Sequence, residues 1–322
     1  MKKILLSATA LSLALTASAF AADLPINKGP AIIPPPPPPT WTGFYVGLNA
    51  GGTFSNSQSI TIVSSPIADF PNPATGVSWA GMAAFGATGI LPAGSNGGFI
   101  GGGQIGYNYQ FDAGRFGSSW LIGLEADIQG VASSKSTASA FSEVGPFPFV
   151  GASEVHTTSI SSSRSLDYIG TVRGRLGFLV SPILLVYGTG GLAYGGVSGS
   201  TSIAQFNNDC SATPVPGACV QPAAATSGSH SNTLVGWTAG GGLEWMFLPN
   251  WSAKVEYLYY DLGTTTWGNG ALAYNSGSLV AASGSAAVIA SQSRAHFNGN
   301  IVRAGVNYHF NWFAPAAVLA KY

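Results

Sequence analysis

The most constraining feature of this sequence is a two-residue alternation of apolar and polar side chains that recurs in eight segments. One parity of each segment is mainly apolar, while the other carries glycine, hydroxyl, amide or charged side chains. Because successive side chains of a β-strand point to opposite faces, each segment predicts a strand with one apolar face. The segments are 44–54, 99–111, 120–129, 166–178, 184–195, 234–247, 251–261 and 300–310.

The composition indicates which solvent these apolar faces meet. Only 7% of the residues are charged, against about 25% in an ordinary soluble domain. No uninterrupted apolar stretch after residue 21 approaches the roughly 20 residues that a membrane-spanning helix needs. In a membrane, a closed barrel is the other way to satisfy every backbone hydrogen bond. The sequence therefore predicts an all-β fold, an eight-stranded antiparallel transmembrane β-barrel.

A soluble β-sandwich is the alternative fold, because its strands also alternate with period two. The charged residues of the segments argue against it. They share the less apolar parity, with Asp261 at a strand end as the exception. This consistent separation of charge from the apolar face favours the barrel.

The fourth segment illustrates how we assign faces from parity. Its apolar parity begins with Leu166 and Tyr168, so these side chains are expected to point outward. Its other parity holds Asp167, Arg173 and Arg175, which are expected to point into the barrel. Two arginines thus share an inward face.

Nine charged side chains take the inward parity of the predicted strands, and their charges nearly cancel. The interior of an eight-stranded barrel is filled by side chains, so we expect these groups to pair there and leave no wide pore. A buried charge without its partner costs several kcal/mol, which makes the balance informative. A narrow, gated ion path lined by the same residues is the alternative. The nine are Glu125, Asp127, Asp167, Arg173, Arg175, Glu244, Lys254, Glu256 and Arg303.

The links between the segments alternate between short and long. Three are short, at 112–118, 180–182 and 248–250. Four are long and rich in Ser, Gly, Ala and Thr, at 56–97, 131–165, 196–232 and 263–298. Outer-membrane barrels have short periplasmic turns and long extracellular loops, which places both chain ends in the periplasm. The stretch Ser78 to Phe85 leaves open a further hairpin and a ten-stranded barrel.

Aromatic residues of the apolar parity gather beside the short links. Such residues form belts at the two interfaces between a membrane and water. We therefore predict an aromatic girdle at the periplasmic side. Its members are Phe111, Trp120, Phe178, Trp245, Trp251 and Phe310.

The amino-terminal region has the composition of an export leader followed by a linker. Residues 1–21 contain two lysines, an apolar run and a final Ala-Phe-Ala, which predicts a cleaved signal peptide. Residues 22–40 include six consecutive prolines, Pro34 to Pro39, which favour an extended polyproline II spacer in the periplasm. Residues 41–322 are then assigned to the barrel.

Motifs for catalysis and for nucleotides are weak in this chain. The run GGGQIG at 101–106 matches a dinucleotide fingerprint, but strand alternation continues after it and no helix pattern follows. The four histidines, at 156, 230, 296 and 309, do not cluster in sequence, and no local motif identifies a nucleophile. We expect no enzyme activity, metal or cofactor. A net charge of zero also disfavours nucleic-acid binding.

The two cysteines, Cys210 and Cys219, fall in the third long link. A loop outside the cell is in an oxidising compartment, so we expect a disulfide between them. Free thiols are the alternative.

Several segments resemble a known family. The leader ending in AFAADLP, the proline run, the first strand WTGFYVGLNAGG and the last strand IVRAGVNYHF look like the small outer-membrane proteins of alphaproteobacteria, which are porin-family, OmpA-like barrels. This resemblance implies an abundant surface protein of the cell outer membrane. It also implies insertion by the barrel-assembly machinery through a last strand that ends in an aromatic residue, and Phe310 is the matching position.

The functional expectation follows from the filled interior and the resemblance together. We expect a non-enzymatic barrel that contributes to envelope integrity and surface display. Its expected partners are outer-membrane lipids and lipopolysaccharide, the barrel-assembly machinery during insertion, and host or phage surface ligands. The alternative is a narrow porin-like channel for small solutes or ions.

Overall fold

Antiparallel β-strands make up nearly all of the chain that the structure describes. The computed structural model describes residues 40–55, 58–69, 78–92, 94, 97–112, 119–133, 135–149, 152–207, 224–274 and 287–310. Within these ranges there are eleven strands and one helix. They are β1 Gly43–Ser55, β2 Ser59–Ala68, α1 Trp79–Gly86, β3 Gly89–Pro92, β4 Gly97–Asp112, β5 Ser119–Ser133, β6 Ser136–Phe149, β7 Ala152–Ser181, β8 Leu184–Asn207, β9 Ala224–Leu248, β10 Trp251–Tyr274 and β11 Ala287–His309.

Eight of these strands form a closed ring of hydrogen-bonded pairs. The order is β1, β4, β5, β7, β8, β9, β10 and β11, and β11 pairs with β1 to complete the ring. This last pairing runs in unbroken register from Tyr45 opposite His309 to Ser55 opposite Gly299. Closure satisfies the backbone groups of both edge strands along these stretches.

Tight turns mark one end of the ring, which we call the lower end. Two residues separate Ser181 of β7 from Leu184 of β8, and two separate Leu248 of β9 from Trp251 of β10. The first residues of β1 and the last residues of β11 lie at this end as well. The turns coincide with the links expected at 180–182 and 248–250.

The remaining strands extend the wall at the opposite end, which we call the upper end. β2 pairs with the upper part of β11, and β3 pairs with β2. β6 pairs with the upper part of β7, beginning with Ser136 opposite Arg164. β7 and β8 stay paired as far as His156 opposite Asn207. The wall is therefore much taller than the eight segments predict.

The expectation of four long loops is wrong for most of their described residues. The last three long links continue the hairpins β6–β7, β8–β9 and β10–β11 as strand. Serine, threonine, alanine and glycine give little hydropathy contrast between the two faces of a strand, so the alternation fades from the sequence. The backbone still needs its hydrogen bonds, and continuing the ladder supplies them.

The first long link folds differently and contains the helix. Ser78 to Phe85, considered above as half of a hairpin, forms the cap and nearly all of α1 instead. The Ser78 side chain caps this helix by accepting a hydrogen bond from the Gly81 backbone N–H at 2.7 Å. The alanine-rich sequence after this cap favours a helix over a strand. Within the described residues, no helix is long and apolar enough to cross a membrane.

The two faces of the wall alternate in burial, and their polarity reverses with height. In the lower half the outward residues are apolar, as with exposed Leu48 on β1, while Asn49 beside it is buried. In the upper half the buried inward residues include Ile160 and Ile203, and the exposed outward ones include Ser202. The glycine run 101–106 lies in β4, as a strand.

Several sequence predictions concern residues outside the described ranges. They are the signal peptide 1–21, the proline-rich linker up to residue 39, the link 113–118, Cys210 and Cys219, and the tail 311–322. These remain predictions.

Candidate functional site: the interior of the ring

Eight charged side chains meet inside the lower half of the ring. They come from β5, β7, β9, β10 and β11, and each has a side-chain exposure of 0%. We call this group the charged layer. Its members are Glu125, Asp127, Arg173, Arg175, Glu244, Lys254, Glu256 and Arg303.

The strand register alone brings three pairs of opposite charges side by side. Residues directly opposite each other on neighbouring strands have Cβ atoms about 5 Å apart, close enough for their side chains to interact. Regular pairing of these strands is therefore sufficient to start the network. The three pairs are Glu125 with Arg173, Glu244 with Lys254 and Glu256 with Arg303.

Arg173 contacts three carboxylates at once. One terminal nitrogen donates to Glu256 at 2.8 Å, and the other donates to Asp127 at 3.0 Å and to Glu125. Its Nε donates to the Thr171 hydroxyl at 2.9 Å, and that hydroxyl donates to Asp127 at 2.7 Å. The planar guanidinium, with five N–H donors, suits this many acceptors.

Arg303 and Lys254 complete the central part of the layer. Arg303 donates from Nε to Glu256 at 2.8 Å and from a terminal nitrogen to Asp127 at 2.9 Å. The Lys254 ammonium donates to both carboxylate oxygens of Glu125, at 2.9 and 3.0 Å. Every carboxylate in this part therefore faces at least two cations.

Arg175 links the charged layer to aromatic side chains nearer the lower end. It donates to Glu244 at 2.6 Å and to the Tyr45 hydroxyl at 2.8 Å, and Tyr45 donates to Glu125 at 2.6 Å. Its guanidinium carbon lies 4.0 Å from the centre of the Tyr187 ring. This cation–π contact offsets part of the cost of removing the guanidinium from water.

The assignment of Asp167 to the inward charges is wrong. Leu166 pairs with Val197 and Tyr168 pairs with Gly196, so Asp167 is an extra residue in β7. Such a β-bulge reverses the parity of the strand beyond it. The bulge turns Leu166, expected outward, toward the interior, where it packs against buried apolar residues.

The carboxylate of Asp167 faces outward instead. It is exposed and accepts hydrogen bonds from Ser165 at 3.0 Å and Ser198 at 3.3 Å. Without it the charged layer holds four carboxylates and four cations, so its formal charge is zero. The balance is closer than parity alone predicts.

A glycine allows the main chains of β7 and β8 to approach closely beside the charged layer. Gly191 of β8 lies opposite Arg173, and a Cβ placed on it would fall 2.2 Å from the Val172 carbonyl oxygen and 2.7 Å from the Arg173 Cα. Both neighbours are main-chain atoms, so neither can move aside without a shift of the strand. Gly191 is needed for the close approach of β7 and β8 at the height of the charged layer.

An apolar layer closes the lower end beneath the charges. Trp41, which precedes β1, is fully buried there and donates from its indole N–H to the Pro182 carbonyl at 3.0 Å. Pro182 belongs to the turn between β7 and β8. We call this group the lower apolar layer; it comprises Trp41, Leu121, Leu179, Leu185, Tyr187 and Met246.

A larger apolar core fills the ring above the charges. Leu258 of β10 and Ile301 of β11 are buried and lie opposite each other. Each is two residues above the charged layer on its strand. Farther up, α1 contributes Ala83, whose carbonyl accepts a hydrogen bond from buried Gln205 at 2.7 Å. We call this group the upper apolar core. The charged layer thus lies between two apolar regions.

Ser252, His309 and Glu244 come together at the bottom of the charged layer, and their geometry is not that of a hydrolytic triad. The Ser252 hydroxyl donates to Glu244 at 2.6 Å and lies 2.8 Å from His309 Nε2. A triad needs its carboxylate on the second ring nitrogen and an accessible hydroxyl. Here the carboxylate bonds the hydroxyl, and Ser252 is fully buried. We find no catalytic role for this group.

Sequence reasoning missed the uncharged members of the site. Tyr45, Thr171 and Tyr187 all take the inward parity of predicted strands, so extending the inward list beyond charged residues finds them. Trp41 precedes the first strand and has no periodic signal. Its burial depends on a turn more than a hundred residues away in the chain.

The six residues of the predicted girdle all lie toward the lower end on the outward side of the wall. Trp120 and Phe178, on neighbouring strands, have ring centroids 5.4 Å apart, and Trp251 lies 5.1 Å from Tyr308. The remaining girdle positions are Phe111, Trp245 and Phe310, each at least partly exposed.

Comparison with known proteins identifies the family. Residues 7–310 match the model of the outer membrane protein beta-barrel domain. The 31 kDa outer-membrane immunogenic proteins of Brucella melitensis and Brucella suis are each 32% identical over 268 residues, which cover 82% of this chain and 88% of the relative. The attachment invasion locus protein Ail of Yersinia pestis aligns at 10% identity and a TM-score of 0.26, covering 83% of this chain and 99% of Ail.

The family model and the Brucella relatives confirm the resemblance that the sequence carries at its two ends. The family model spans most of the chain, and the Brucella relatives are outer-membrane proteins by name. The chain therefore belongs to the family of outer membrane protein beta-barrel domains and is a protein of the outer membrane of a Gram-negative bacterium.

Proposed function

We propose that this protein is a non-enzymatic barrel that contributes to envelope integrity and presents rigid hairpins at the cell surface. In this proposal the eight-stranded ring crosses the membrane, the lower end faces the periplasm and the upper end projects from the cell. The observation that carries it is the filled interior, in which a charged layer of zero net charge, each of whose members forms an ion pair, lies between two apolar regions.

The height of the apolar band and the position of the tight turns support this orientation. On β7 the outward aromatic residues Phe178 and Tyr168 bound an apolar stretch and lie ten steps apart along the strand. At about 3.4 Å per residue and a tilt of about 40°, this band is about 26 Å tall, close to the apolar band of known barrels. The tight turns, the first residues of β1 and the last residues of β11 are all at the lower end, as expected for the periplasmic side.

The filled interior supports a closed barrel over the narrow channel. A hydrated ion would have to displace Trp41 from the lower apolar layer, separate ion pairs in the charged layer and then cross the upper apolar core. Every charged group of the layer forms an ion pair with at least one other member, while Arg175 Nε and Arg303 Nη1 have no hydrogen-bond partner within the described residues. Breaking one buried pair costs about 3–5 kcal/mol. A conduction path needs sites that an ion enters and leaves easily.

The surface role rests on the upper hairpins. They are continuous strands with their own apolar core, so they hold a fixed shape outside the membrane. The Brucella relatives are named immunogenic proteins, which supports exposure of this region to host molecules. We propose lipopolysaccharide as the neighbour of the hairpins, host or phage proteins as surface ligands, and the barrel-assembly machinery as the partner that recognises the last strand near Phe310.

A deletion strain tests this role because the two alternatives predict effects of opposite sign. If the barrel supports the envelope, deletion raises the entry of large antibiotics and the release of periplasmic protein, and the wild-type gene reverses both. If it is a channel, deletion lowers the uptake of small hydrophilic solutes and leaves the envelope intact. Lower uptake with an intact envelope contradicts the proposal.

A further inference from the structure

The outward face of the upper wall carries a two-dimensional array of serine hydroxyls. Three rows of directly opposed serines cross β7, β8 and β9. On β6, Thr137 continues one row and Ser139 another. We call the nine residues of the three rows the serine array. They are Ser165, Ser198 and Ser231, then Ser163, Ser200 and Ser229, then Ser161, Ser202 and Ser227.

The ladder fixes the spacing of these hydroxyls. Neighbouring strands lie about 4.8 Å apart, and alternate residues of one strand lie about 6.8 Å apart, so the array repeats in both directions. Two open depressions lie on it, with volumes of about 240 and 340 Å³. Ser163, Ser200 and Ser229 line both of them. The array is therefore a preformed surface with shallow concavities.

Many of these hydroxyls are available to a ligand. Ser163 bonds Ser200 at 2.8 Å, and Ser165 bonds Ser198 at 2.6 Å. The other five make no side-chain hydrogen bond within the described part of the chain. Each free hydroxyl offers one donor and two acceptor positions. The five are Ser161, Ser202, Ser227, Ser229 and Ser231.

The array begins where the lipid-facing surface ends. On β7 the last large outward residue below it is Tyr168, and on β9 it is Val235, which is 67% exposed. The Tyr168 hydroxyl lies 2.7 Å from that of Thr233, at the border between the two surfaces. In an outer membrane the surface just above the apolar band meets the headgroups of the same lipids. The array is thus continuous with the interface that the barrel already makes.

The charges around the array favour neutral sugars over phosphates. Exposed Asp167 lies at its lower border and exposed Lys135 at its side. Arg164 also lines the first depression, but it is buried and donates to the His296 carbonyl at 3.0 Å. Phosphate groups are usually bound by clusters of arginine and lysine, and the nine array positions are uncharged. A sugar ring presents hydroxyls that donate and accept at spacings of a few ångströms, which matches the chemistry of the array.

We propose that the serine array binds the neutral sugars of the glycolipids that surround the barrel in the outer leaflet. Direct and water-mediated hydrogen bonds from several serines would hold each saccharide against the wall. This inference rests on the proposed orientation, with the upper end outside the cell. It adds to that proposal a defined surface and a defined ligand chemistry.

The test compares two glycolipids on the folded, full-length barrel in detergent micelles. One is lipopolysaccharide that carries its core sugars, and the other is lipid A, which lacks them. Native mass spectrometry gives the affinity of each. The array variant is Ser202→Ala with Ser227→Ala, which removes two opposed hydroxyls that have no side-chain hydrogen bond among the described residues. The control is Ser59→Ala with Ser65→Ala, two exposed serines of β2.

We expect the wild type and the control to bind the core-bearing glycolipid more tightly than lipid A. Loss of two hydrogen bonds should reduce this preference roughly tenfold in the array variant. Equal binding of the two glycolipids by the wild type, or an unchanged preference in the array variant, contradicts the inference. Equally tight binding of the soluble core oligosaccharide contradicts the membrane source of the ligand.

Labelling of intact cells separates this inference from the orientation on which it rests. The reporter is Ser229→Cys in a chain with Cys210→Ser and Cys219→Ser, treated with a maleimide that does not cross membranes. Labelling on intact cells supports the orientation, so a failed binding test then overturns the sugar site alone. Labelling only after the envelope is opened overturns both.

Discussion

The lower and upper halves of the wall enclose the same interior with opposite polarity. In the lower half apolar side chains such as Leu124 face outward, and Glu125 beside it belongs to the charged layer. In the upper half Ile203 faces the interior and Ser202 faces outward. In the proposed orientation, the medium outside each half accounts for the difference in which side chains face inward. Hydrocarbon outside leaves the polar groups to pair with one another, whereas water outside lets apolar groups form a core.

β-Bulges lie near the height where the polarity reverses. Asp167 is the extra residue in β7, and β10 has a register shift between Asp261 and Gly263, with Leu262 buried between them. A bulge exchanges the faces of all later residues, so a strand can keep one pattern in the membrane and begin another above it.

Removing one charge from the charged layer should have the largest effect on the free energy of unfolding. Arg173→Ala leaves Glu125, Asp127 and Glu256 with fewer cations and should lower the free energy of unfolding by about 3–5 kcal/mol. Urea titration of the refolded protein, followed by the heat-modifiable band in gels, measures it. In Glu125→Ala with Arg173→Ala, neutrality returns, so the loss should be clearly less than the sum of the two single losses. Strict additivity contradicts a coupled layer.

Truncating a side chain of the upper apolar core should lower the free energy of unfolding by about 3 kcal/mol. The destabilisation should be confined to the upper half. Ile203→Ala opens a cavity between the upper hairpins, where Ile203 is fully buried. We expect faster proteolysis and hydrogen exchange in β6 to β9 above the bulge, with an unchanged heat-modifiable ring. Loss of the folded ring in this variant would show that the two halves fold as one unit.

A side chain at Gly191 should separate the strands beside the charged layer. Gly191→Val places atoms against the Val172 carbonyl, and the forced shift should cost about 1–3 kcal/mol. The matched control is Gly190→Val, where the nearest atom to an added Cβ is 3.6 Å away. Thermal unfolding of the two variants compares them, and equal midpoints would mean that the close approach at Gly191 has no energetic role.

The smallest effect is expected at Asp167. Its carboxylate is exposed and bonds only serine hydroxyls among the described residues, so Asp167→Ala should change the free energy of unfolding by less than about 0.5 kcal/mol. Asp127→Ala is the matched comparison, because the same side chain is there buried beside two arginines. A loss at Asp167 as large as that at Asp127 would contradict the bulge.

The lower half of the wall was predictable because its two faces differ strongly. Glu125, Arg173 and Glu256 follow the parity of regular strands whose neighbours are apolar, so their inward direction can be read from the sequence. Asp167 could not be assigned, because a bulge adds one residue without changing the composition. Which charges meet also depends on the register between strands, which parity alone does not give.

The strands of the upper half could not be recognised from the sequence because of their composition. Serine, threonine, alanine and glycine are common on both faces of the hairpins, and inward apolar residues such as Ile203 are widely spaced, so the strands resemble loops in sequence. Trp41 and the helix α1 fill the interior from segments that precede or interrupt the strands, and only the closed ring brings them to their positions. Membership of the family of outer-membrane barrels was predictable from short motifs at the two ends of the chain.

The most direct test of the central claim is the single-channel conductance of the refolded, heat-modifiable protein in planar bilayers. The wild type should be silent, because the charged layer and the two apolar regions fill the interior. The variant Glu125→Ala with Arg173→Ala, measured beside it, shows whether these charges line a path. Steady wild-type conductance that changes in the variant would contradict the account and identify the charged layer as a selectivity element.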